Sequence, residues 1–201
     1  MKIEKIEQDR WKISRWSGGS TTQFYIMPED SVFAEHDFTW RLSAAVLEDE
    51  QSEFTRFPGY ERILYLLSGI SLIHVEQKFC KMLLPGDQIR FSGSDITKSR
   101  GRASDLNLIM REGCSGRMTG YPSRDRIEWK QSGNDRENQC WMFYMTEGSA
   151  EIQDIQNQSR IPLSPGDLLL VRPTEPEEEL KLQIKKISEV PFQLIEIEIG
   201  W

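Results

Sequence analysis

The residues with the clearest potential for binding chemistry lie on one face of a predicted strand. Between Asp105 and Arg111, the polar side chains Asp105, Asn107 and Arg111 alternate with bulky apolar residues. Because successive side chains of a strand point to opposite faces, these three share one face. Asparagine is disfavoured in strands, and together the three groups supply donors and acceptors suited to a carboxylate or an amide. Exposure of this face to solvent is the simpler alternative.

A second predicted strand carries a similar polar face. From Asp37 to Val46 the chain alternates, with Arg41 and Ser43 on one side and large apolar residues on the other. If this strand belongs to a closed β-barrel, one of its faces lines the lumen. Arg41 and Ser43 are therefore candidates for a ligand site, and a solvated outer face is the alternative.

Metal and nucleophilic chemistry are poorly supported by the remaining reactive residues. His36 and His74 are the only histidines, and they show neither H-x-H nor H-E-x-x-H spacing. Cys80, Cys114 and Cys140 form no CxxC pair, and their odd number favours reduced thiols in a cytosolic protein. We therefore expect no metal, no cofactor and no catalytic residue.

Composition and charge narrow the class of partner. The 201 residues, 38% of them hydrophobic, can bury a real core as one domain or two small ones. The net charge of −7 argues against binding to nucleic acid or an anionic membrane, although a local basic pocket can still attract a small anion. No apolar run approaches the ~18 residues of a membrane helix, and the charged first residues lack a signal-peptide core. We expect a cytoplasmic protein.

The elements that would position these residues show an internal repeat. The first copy has a glycine that ends a predicted strand, Gly69, followed by the turn Pro85–Asp87. The same two features return in the second half of the chain, at Gly148 and Pro165–Asp167. Because the glycine and the turn recur at nearly the same spacing, the sequence predicts that one β unit is duplicated. The Pro-Gly-Asp turn sequence alone is common enough to recur by chance. Short strands separated by glycine and proline predict an all-β fold of the sandwich or small-barrel type.

Two further segments border the predicted strands. Residues 15–22 contain two glycines among small polar side chains, which predicts a loop whose N–H groups approach a ligand or another strand. Residues 54–62 predict a tight turn with aromatic residues around Pro58 and Gly59. The two arginines of this turn, Arg56 and Arg62, are either surface charges or ligand clamps.

The chain resembles the HutD/Ves family in five short blocks that follow the family's order. These blocks are Arg15-Trp16-Ser17-Gly18-Gly19-x-Thr21-Thr22, Asp37-Phe38-x-Trp40-Arg41-Leu42-Ser43-x-Ala45, Phe54-x-x-Phe57-Pro58-Gly59-x-x-Arg62, Gly93-x-Asp95 and Asp105-x-Asn107-Leu108-x-x-Arg111. They cover about the first 115 residues, and the second half matches only in pattern. Where many members carry Trp-Lys-Asn before three glycines, this chain has Ser17-Gly18-Gly19-Ser20.

The resemblance implies a cupin fold, with two β-barrel or jelly-roll halves in one chain. We place these halves at residues 1–115 and 116–201, and some N-terminal strands are free to pair with the other half. The resemblance also implies a family encoded with histidine-degradation genes in many bacteria and without an established enzymatic activity. Its proposed role is to bind a small acidic intermediate such as formylglutamate or urocanate. The absence of the cupin metal histidines agrees with a metal-free lumen.

We therefore predict an all-β bicupin whose N-terminal half binds a small polar or anionic metabolite. The predicted site comprises Arg41 and Arg111 for charge, Asn107, Ser43 and Thr22 for hydrogen bonds, Asp105 as a neutralising carboxylate, and Arg62 and Arg56 at the mouth. One alternative is a metal-independent isomerase or hydrolase with Asp105 as general base. Another is a structural or interaction protein whose lumen is packed with side chains. Exposed β edges would allow a homodimer.

Overall fold

The structure, a computed structural model, describes residues 1–132, 138–175 and 178–201. Within these ranges the chain is nearly all β, with short 3-10 turns at Gln8–Arg10 and Phe33–Glu35. The strands are β1 (Lys2–Ile6), β2 (Lys12–Trp16), β3 (Gly19–Met27), β4 (Trp40–Leu47), β5 (Gln51–Glu53), β6 (Tyr60–Gly69), β7 (Ser71–Val75), β8 (Phe79–Leu83), β9 (Gln88–Ser92), β10 (Thr97–Arg100), β11 (Ala103–Arg111), β12 (Ser115–Pro122), β13 (Arg126–Ser132), β14 (Gln139–Glu147), β15 (Ala150–Asp154), β16 (Arg160–Leu163), β17 (Leu168–Arg172), β18 (Glu179–Lys186) and β19 (Gln193–Gly200). The predicted all-β class is confirmed.

The strands form two compact units, each built from two antiparallel sheets. The N-terminal unit comprises residues 9–114, and the C-terminal unit joins residues 1–8 to residues 115–201. Strand β1 belongs to the C-terminal unit because it pairs with β17, from Lys2 opposite Arg172 to Ile6 opposite Leu168. The division into domains at residue 115 stays a prediction, with β1 as the N-terminal strand that pairs with the later half.

The N-terminal unit contains a six-stranded sheet, in the order β2-β3-β4-β11-β6-β9, and a four-stranded sheet, β5-β10-β7-β8. Strand β7 shows why the chain folds this way, since Ser71, Ile73 and Val75 are buried while Leu72 and His74 are exposed. Ile73 and Val75 join an apolar core cluster with side chains of β6, β8 and β9. Burying each such aliphatic side chain contributes about 1.5–3 kcal/mol, which holds the two sheets together.

The C-terminal unit contains sheets in the orders β1-β17-β14-β19-β12 and β13-β18-β15-β16. Its interior is packed by aromatic side chains, and the ring of Trp129 lies 5.6 Å from that of Trp141 and 5.3 Å from that of Phe143. Glu196 is buried in this interior and accepts hydrogen bonds from Trp129 Nε1 at 2.9 Å and Tyr121 OH at 2.6 Å. Both carboxylate oxygens are therefore satisfied.

The two units share one strand plan. The order β4-β11-β6-β9 corresponds to β12-β19-β14-β17, and β5-β10-β7-β8 corresponds to β13-β18-β15-β16. The predicted turns also match in detail, because Gly86 N–H donates to the Leu66 carbonyl as Gly166 N–H donates to that of Met145. The Asp87 carboxylate accepts from the backbone two residues before Gly86, and Asp167 does the same before Gly166. This correspondence is what a duplicated unit predicts.

The predicted loop at residues 15–22 is wrong, because these residues form a β-hairpin. Strand β2 ends at Trp16 and β3 begins at Gly19, so the connection is short. A Cβ at Gly19, where φ is +154°, would lie 1.9 Å from the carbonyl oxygen of Val46 on β4. Glycine is needed here for close approach of another strand, which sequence could not distinguish from close approach of a ligand.

Across the described ranges, the structure contains no helix with the length and apolar character needed to cross a membrane.

Candidate functional site

A cavity of about 400 Å³ opens on the inner face of the six-stranded sheet of the N-terminal unit. Strand β4 contributes Arg41 and Ser43 to its wall, β11 contributes Asn107, and β6 contributes Arg62. These side chains meet because β11 lies between β4 and β6, with Asn107 directly opposite Ser43 on one side and Leu64 on the other. The aromatic side chains of the wall are Trp16, Phe33, Phe54 and Phe57.

The Arg41 guanidinium is fixed by neutral groups. Only 5% of Arg41 is exposed, and its Nε donates to Gln23 Oε1 at 2.7 Å while Nη1 donates to Ser43 Oγ at 3.0 Å. The guanidinium carbon lies 4.0 Å from the centroid of the Phe33 ring, a cation–π distance. Burial, followed by the positive charge of Arg62, lowers the pKa of Arg41 to about 10. The group therefore stays charged at neutral pH.

Arg62 is held in a comparable way from β6. It is 4% exposed, and its Nε donates to Asn107 Oδ1 at 3.4 Å while Nη1 donates to the Thr55 carbonyl at 3.2 Å. Its guanidinium lies over the rings of Phe54 and Phe91, at 4.9 and 5.2 Å. Burial lowers the pKa of Arg62 to about 10, and the attraction of Asp105 opposes that effect. Arg62 is also cationic at neutral pH.

The two guanidinium groups together give the cavity wall an excess of buried positive charge. Among the described residues, every hydrogen bond that either group donates goes to a neutral oxygen, from an amide, a hydroxyl or a backbone carbonyl. A buried charge is strongly unfavourable unless it is paired. The arrangement would therefore be more stable with a negative charge in the cavity.

Asp105 is not one of the residues that line this wall. The residue is fully buried, and neither carboxylate oxygen has a hydrogen-bond partner among the described residues. It shares a strand face with Asn107 and lies two residues along β11 from it, opposite Ala45 and Leu66. Burial raises the pKa of Asp105 to about 7, against the lowering effect of Arg62.

Arg111 is not brought together with these residues. Its side chain is exposed at the end of β11, where Nη2 donates to the His36 carbonyl at 3.4 Å and to Tyr60 OH at 3.3 Å. Between Asn107 and Arg111 on the same strand face stands Ile109, which belongs to an apolar cluster with Tyr60. Ile109 lines the cavity and Arg111 does not, so the expected convergence with Arg41 does not occur.

Thr22 and Arg56 also lie away from the cavity. Thr22 pairs with Ala44 on the sheet face opposite to Ser43, and its neighbour Thr21 lines the cavity instead. Arg56 is exposed and donates to the Ser94 carbonyl at 3.0 Å. The structure therefore assembles Arg41, Ser43, Arg62 and Asn107 around the cavity, and Asp105 is buried on the same strand as Asn107 without lining the cavity.

Sequence reasoning missed Gln23 and the aromatic wall. Gln23 reaches Arg41 because it stands opposite Ser43, at a point where the register of β3 and β4 shifts. A bulge of this kind has no signature in one sequence, so the partner could not be identified. Phe54 and Phe57 were visible as aromatics in the predicted turn, but their approach to Arg62 depends on tertiary packing.

The residues of the cavity do not fit a metal ion. His36 packs its ring 4.5 Å from that of Phe57, His74 is exposed on β7, and neither lines the cavity. In the part of the chain that the structure describes, no group of three His, Cys, Asp or Glu side chains could hold a metal. Two guanidinium groups in the wall would also repel a cation.

A second concavity, of about 450 Å³, lies on the outer face of the four-stranded sheet of the same unit. Its wall includes the exposed side chains of His74, Cys80 and Lys98. Exposed charges are solvated and gain little from a ligand, whereas the charges of the inner cavity are desolvated. The inner cavity is therefore the stronger candidate.

Comparisons of the sequence identify relatives along most of the chain. Residues 5–192 match the model of a family described as HutD. Protein Ves of Escherichia fergusonii is 35% identical over 115 residues, which are 54% of this chain and 56% of that protein. The chain therefore spans about half the length of the curated relative that it matches.

Comparisons of the structure show the fold. A conserved protein of unknown function from Pseudomonas aeruginosa PAO1 superposes over all of both chains, with a TM-score of 0.83 and 20% identity. HutD from Pseudomonas fluorescens SBW25, in a formate condition, covers 98% of both chains with a TM-score of 0.72 and 20% identity. Oxalate decarboxylase of Bacillus subtilis covers 96% of this chain and 76% of its own, with a TM-score of 0.64 and 8% identity. The predicted bicupin fold, two cupin-like halves in one chain, is confirmed.

Proposed function

The chain belongs to the HutD family, and from that premise we propose that its N-terminal cavity binds a small carboxylate metabolite. One observation carries the proposal. The guanidinium groups of Arg41 and Arg62 are both buried in the cavity wall, and their hydrogen-bond acceptors are neutral. A carboxylate ligand would supply the missing negative charge and accept hydrogen bonds in the planar geometry that arginine offers.

The dimensions and remaining wall groups support a small ligand with both polar and apolar parts. A volume of about 400 Å³ falls within the range of roughly 300–1,000 Å³ that is usual for small-molecule sites. Ser43 and Asn107 offer neutral hydrogen-bonding groups beside the charges, and Phe33 and Phe54 offer apolar surface. Such a wall suits an acid with one or two carboxylates on a short carbon skeleton.

The family's association with histidine-degradation genes directs the choice among such acids. Formylglutamate and urocanate are the acids that this association suggests, and two arginines favour formylglutamate because it carries two carboxylates. Binding without turnover would let the protein moderate the pathway by holding an intermediate.

The two alternatives have less support. A structural protein with a packed lumen would leave no cavity on the inner face of the sheet, whereas this one measures about 400 Å³. An enzyme with Asp105 as general base would need that carboxylate within hydrogen-bond reach of a substrate. Asp105 is fully buried and does not line the cavity, so a direct role has no geometric support.

Calorimetry of the full chain against formylglutamate, urocanate and glutamate near pH 7 tests the proposal. We expect saturable heat with at least one acid and a higher melting temperature in its presence. Arg41→Gln and Arg62→Gln should each weaken binding by at least about 30-fold, because losing one partner of a buried charge pair costs 2 kcal/mol or more.

The exposed arginines of the same unit provide matched controls. Arg56→Gln and Arg111→Gln remove the same charge away from the cavity and should change affinity by less than about twofold, as expected for solvated charges. Absence of heat with every acid, together with an unchanged melting temperature, would contradict the proposal.

A further inference from the structure

Asp105 differs from the other buried carboxylates of the described chain. Glu196 accepts hydrogen bonds from Trp129 and Tyr121, and Asp154 accepts from the backbone of Gln156 and the side chain of Asn157. Asp105 is equally buried, yet both of its oxygens lack a partner. Leaving a buried polar group unpaired is destabilising, so packing alone does not account for an aspartate at this position.

Asp105 is linked electrostatically to the cavity by one residue, Arg62. Arg62, which faces the cavity from β6, is the charged group whose field acts on the Asp105 carboxylate. Arg62 also donates to Asn107, two residues along β11 from Asp105. The charge of Arg62 therefore acts on the Asp105 carboxylate without a hydrogen bond between them, and the same guanidinium lines the cavity that an anion would enter.

Among the described residues, Arg62 is the charged group found to shift the pKa of Asp105. The remaining charged side chains that line the cavity are Arg41 on β4, Arg15 on β2 and Glu53 on β5. Strands β7, β8 and β9 present apolar side chains to the core cluster next to it, namely those of Ile73, Val75, Leu83, Ile89 and Phe91. The ionisation of Asp105 thus depends chiefly on burial and on how far Arg62 is neutralised.

We propose that the cavity takes up a proton together with its anion, and that the carboxylate of Asp105 accepts that proton. The inference rests on the proposed carboxylate-binding function and adds a mode of regulation to the same site. In the free protein, Arg62 supports the ionised form of Asp105. A bound anion neutralises Arg62 and adds its own negative charge, so that ionised Asp105 becomes less stable. The carboxylate then takes one proton from solvent and becomes a neutral acid.

The direction of the pH dependence follows from this coupling. Burial already raises the pKa of Asp105 to about 7 in the free protein, and a bound anion raises it further. Below about pH 6, Asp105 is protonated before binding, so no proton is taken up. Above pH 7, binding must protonate an ionised carboxylate, and the apparent Kd rises by up to tenfold per pH unit. The site would therefore hold its acid more tightly at lower pH.

Calorimetry with formylglutamate as the probe tests proton uptake directly. Titrations near pH 6 and pH 8.5 would each be run in two buffers of different ionisation enthalpy, neither containing carboxylate or phosphate. We expect buffer-independent heat near pH 6, buffer-dependent heat amounting to about 0.5–1 proton near pH 8.5, and a Kd at least tenfold weaker at the higher pH. The carboxylates of the probe are ionised throughout this range and contribute nothing to the change.

Two variants separate Asp105 from other titrating groups. Asp105→Asn should remove both the buffer dependence and the change of Kd with pH. Glu61→Gln, which removes a partly buried carboxylate beside Arg62 on β6, should behave like the unmodified protein.

The outcomes distinguish the inference from the function on which it rests. Binding with buffer-independent heat near pH 8.5 would overturn proton uptake while leaving carboxylate binding intact, and this result requires no variant to fold. Retention of the pH profile by Asp105→Asn would overturn the role of Asp105. Absence of binding at either pH would overturn the proposed function for this probe, and the inference with it.

Discussion

At the scale of the residue, the strength of this site lies in where its charges are buried. Exposed ion pairs in proteins contribute little, because water solvates both partners. Arg41 and Arg62 are desolvated and held by neutral acceptors, so their positive charge remains available to a ligand. Arg111, in contrast, is exposed and binds Tyr60 and a backbone carbonyl at the strand end.

Asp105→Asn should make the ligand-free protein more stable at pH 8. The pKa of Asp105 is raised by burial from 3.8 to about 7 in the folded protein. Its stabilising contribution is therefore complete below about pH 4, falls as pH rises towards 7 and is absent above that pH. Asparagine avoids the buried negative charge, which costs on the order of 4 kcal/mol for a rise of about three pKa units at about 1.4 kcal/mol per unit.

Urea unfolding of both proteins at pH 5 and pH 8 measures this effect. The advantage of Asp105→Asn should shrink towards pH 5, and Glu61→Gln should show no such trend because the Glu61 side chain is only partly buried. A variant that is less stable than the unmodified protein at pH 8 would contradict the assigned environment of Asp105.

Much of the cavity wall could be predicted from the sequence, and the residues that were wrongly included or missed have physical explanations; binding at this wall stays a proposal. Arg41, Ser43 and Asn107 were found because strand alternation fixes which side chains share a face. Alternation does not show how far along a strand the cavity extends, so Arg111 was included although Ile109 and its apolar cluster intervene. Thr22 was predicted in the site, but its neighbour Thr21 lines the cavity, because the pairing of β3 with β4 cannot be deduced from one sequence.

At the scale of the element, the glycines that end strands are needed for close backbone approach. Gly69 ends β6 with a φ of +79°, and a Cβ there would lie 2.3 Å from the Arg102 carbonyl oxygen and 2.8 Å from the Ala103 Cα. Strand β11 begins at Ala103, so this contact fixes where β6 and β11 start to pair. Both strands supply side chains to the cavity, which links the turn to the site.

Gly69→Ala should destabilise the protein more than Gly59→Ala. Both glycines have a φ near +80°, so the strain of a left-handed alanine, about 1–2 kcal/mol, is common to the two variants. A Cβ at Gly59 has no other heavy atom within 4 Å. A Cβ at Gly69 would clash with backbone atoms, which cannot move away by rotation of a side chain. Thermal unfolding should show an additional loss of roughly 1–3 kcal/mol for Gly69→Ala. Equal losses would show that the close approach contributes nothing.

At the scale of the whole molecule, the two units have the same strand order but different side chains in their interiors. Asn107 pairs with Leu64 in the N-terminal unit, and Glu196 pairs with Phe143 at the corresponding place in the C-terminal unit. Glu196 is fully satisfied among tightly packed aromatic rings. The cavity walled by Arg41 and Arg62 thus lies in the N-terminal unit, and a local positive region of this kind is compatible with a net charge of −7.

The fold was largely accessible from the sequence because its turns recur in register. Pro85–Asp87 and Pro165–Asp167 marked the repeat, and short alternating runs marked the strands. The pairing of β1 with β17 could not be predicted, since the two strands lie more than 160 residues apart in the sequence. The five residues of β1 contain no pattern that identifies the strand with which they pair. Association into a homodimer stays a prediction.

A crystal structure of the protein grown with saturating formylglutamate is the most direct test of the account. We expect one ligand in the N-terminal cavity, with carboxylate oxygens about 2.7–3.0 Å from the guanidinium nitrogens of Arg41 and Arg62. A ligand bound elsewhere, or a saturated crystal in which water alone contacts both arginines, would contradict it.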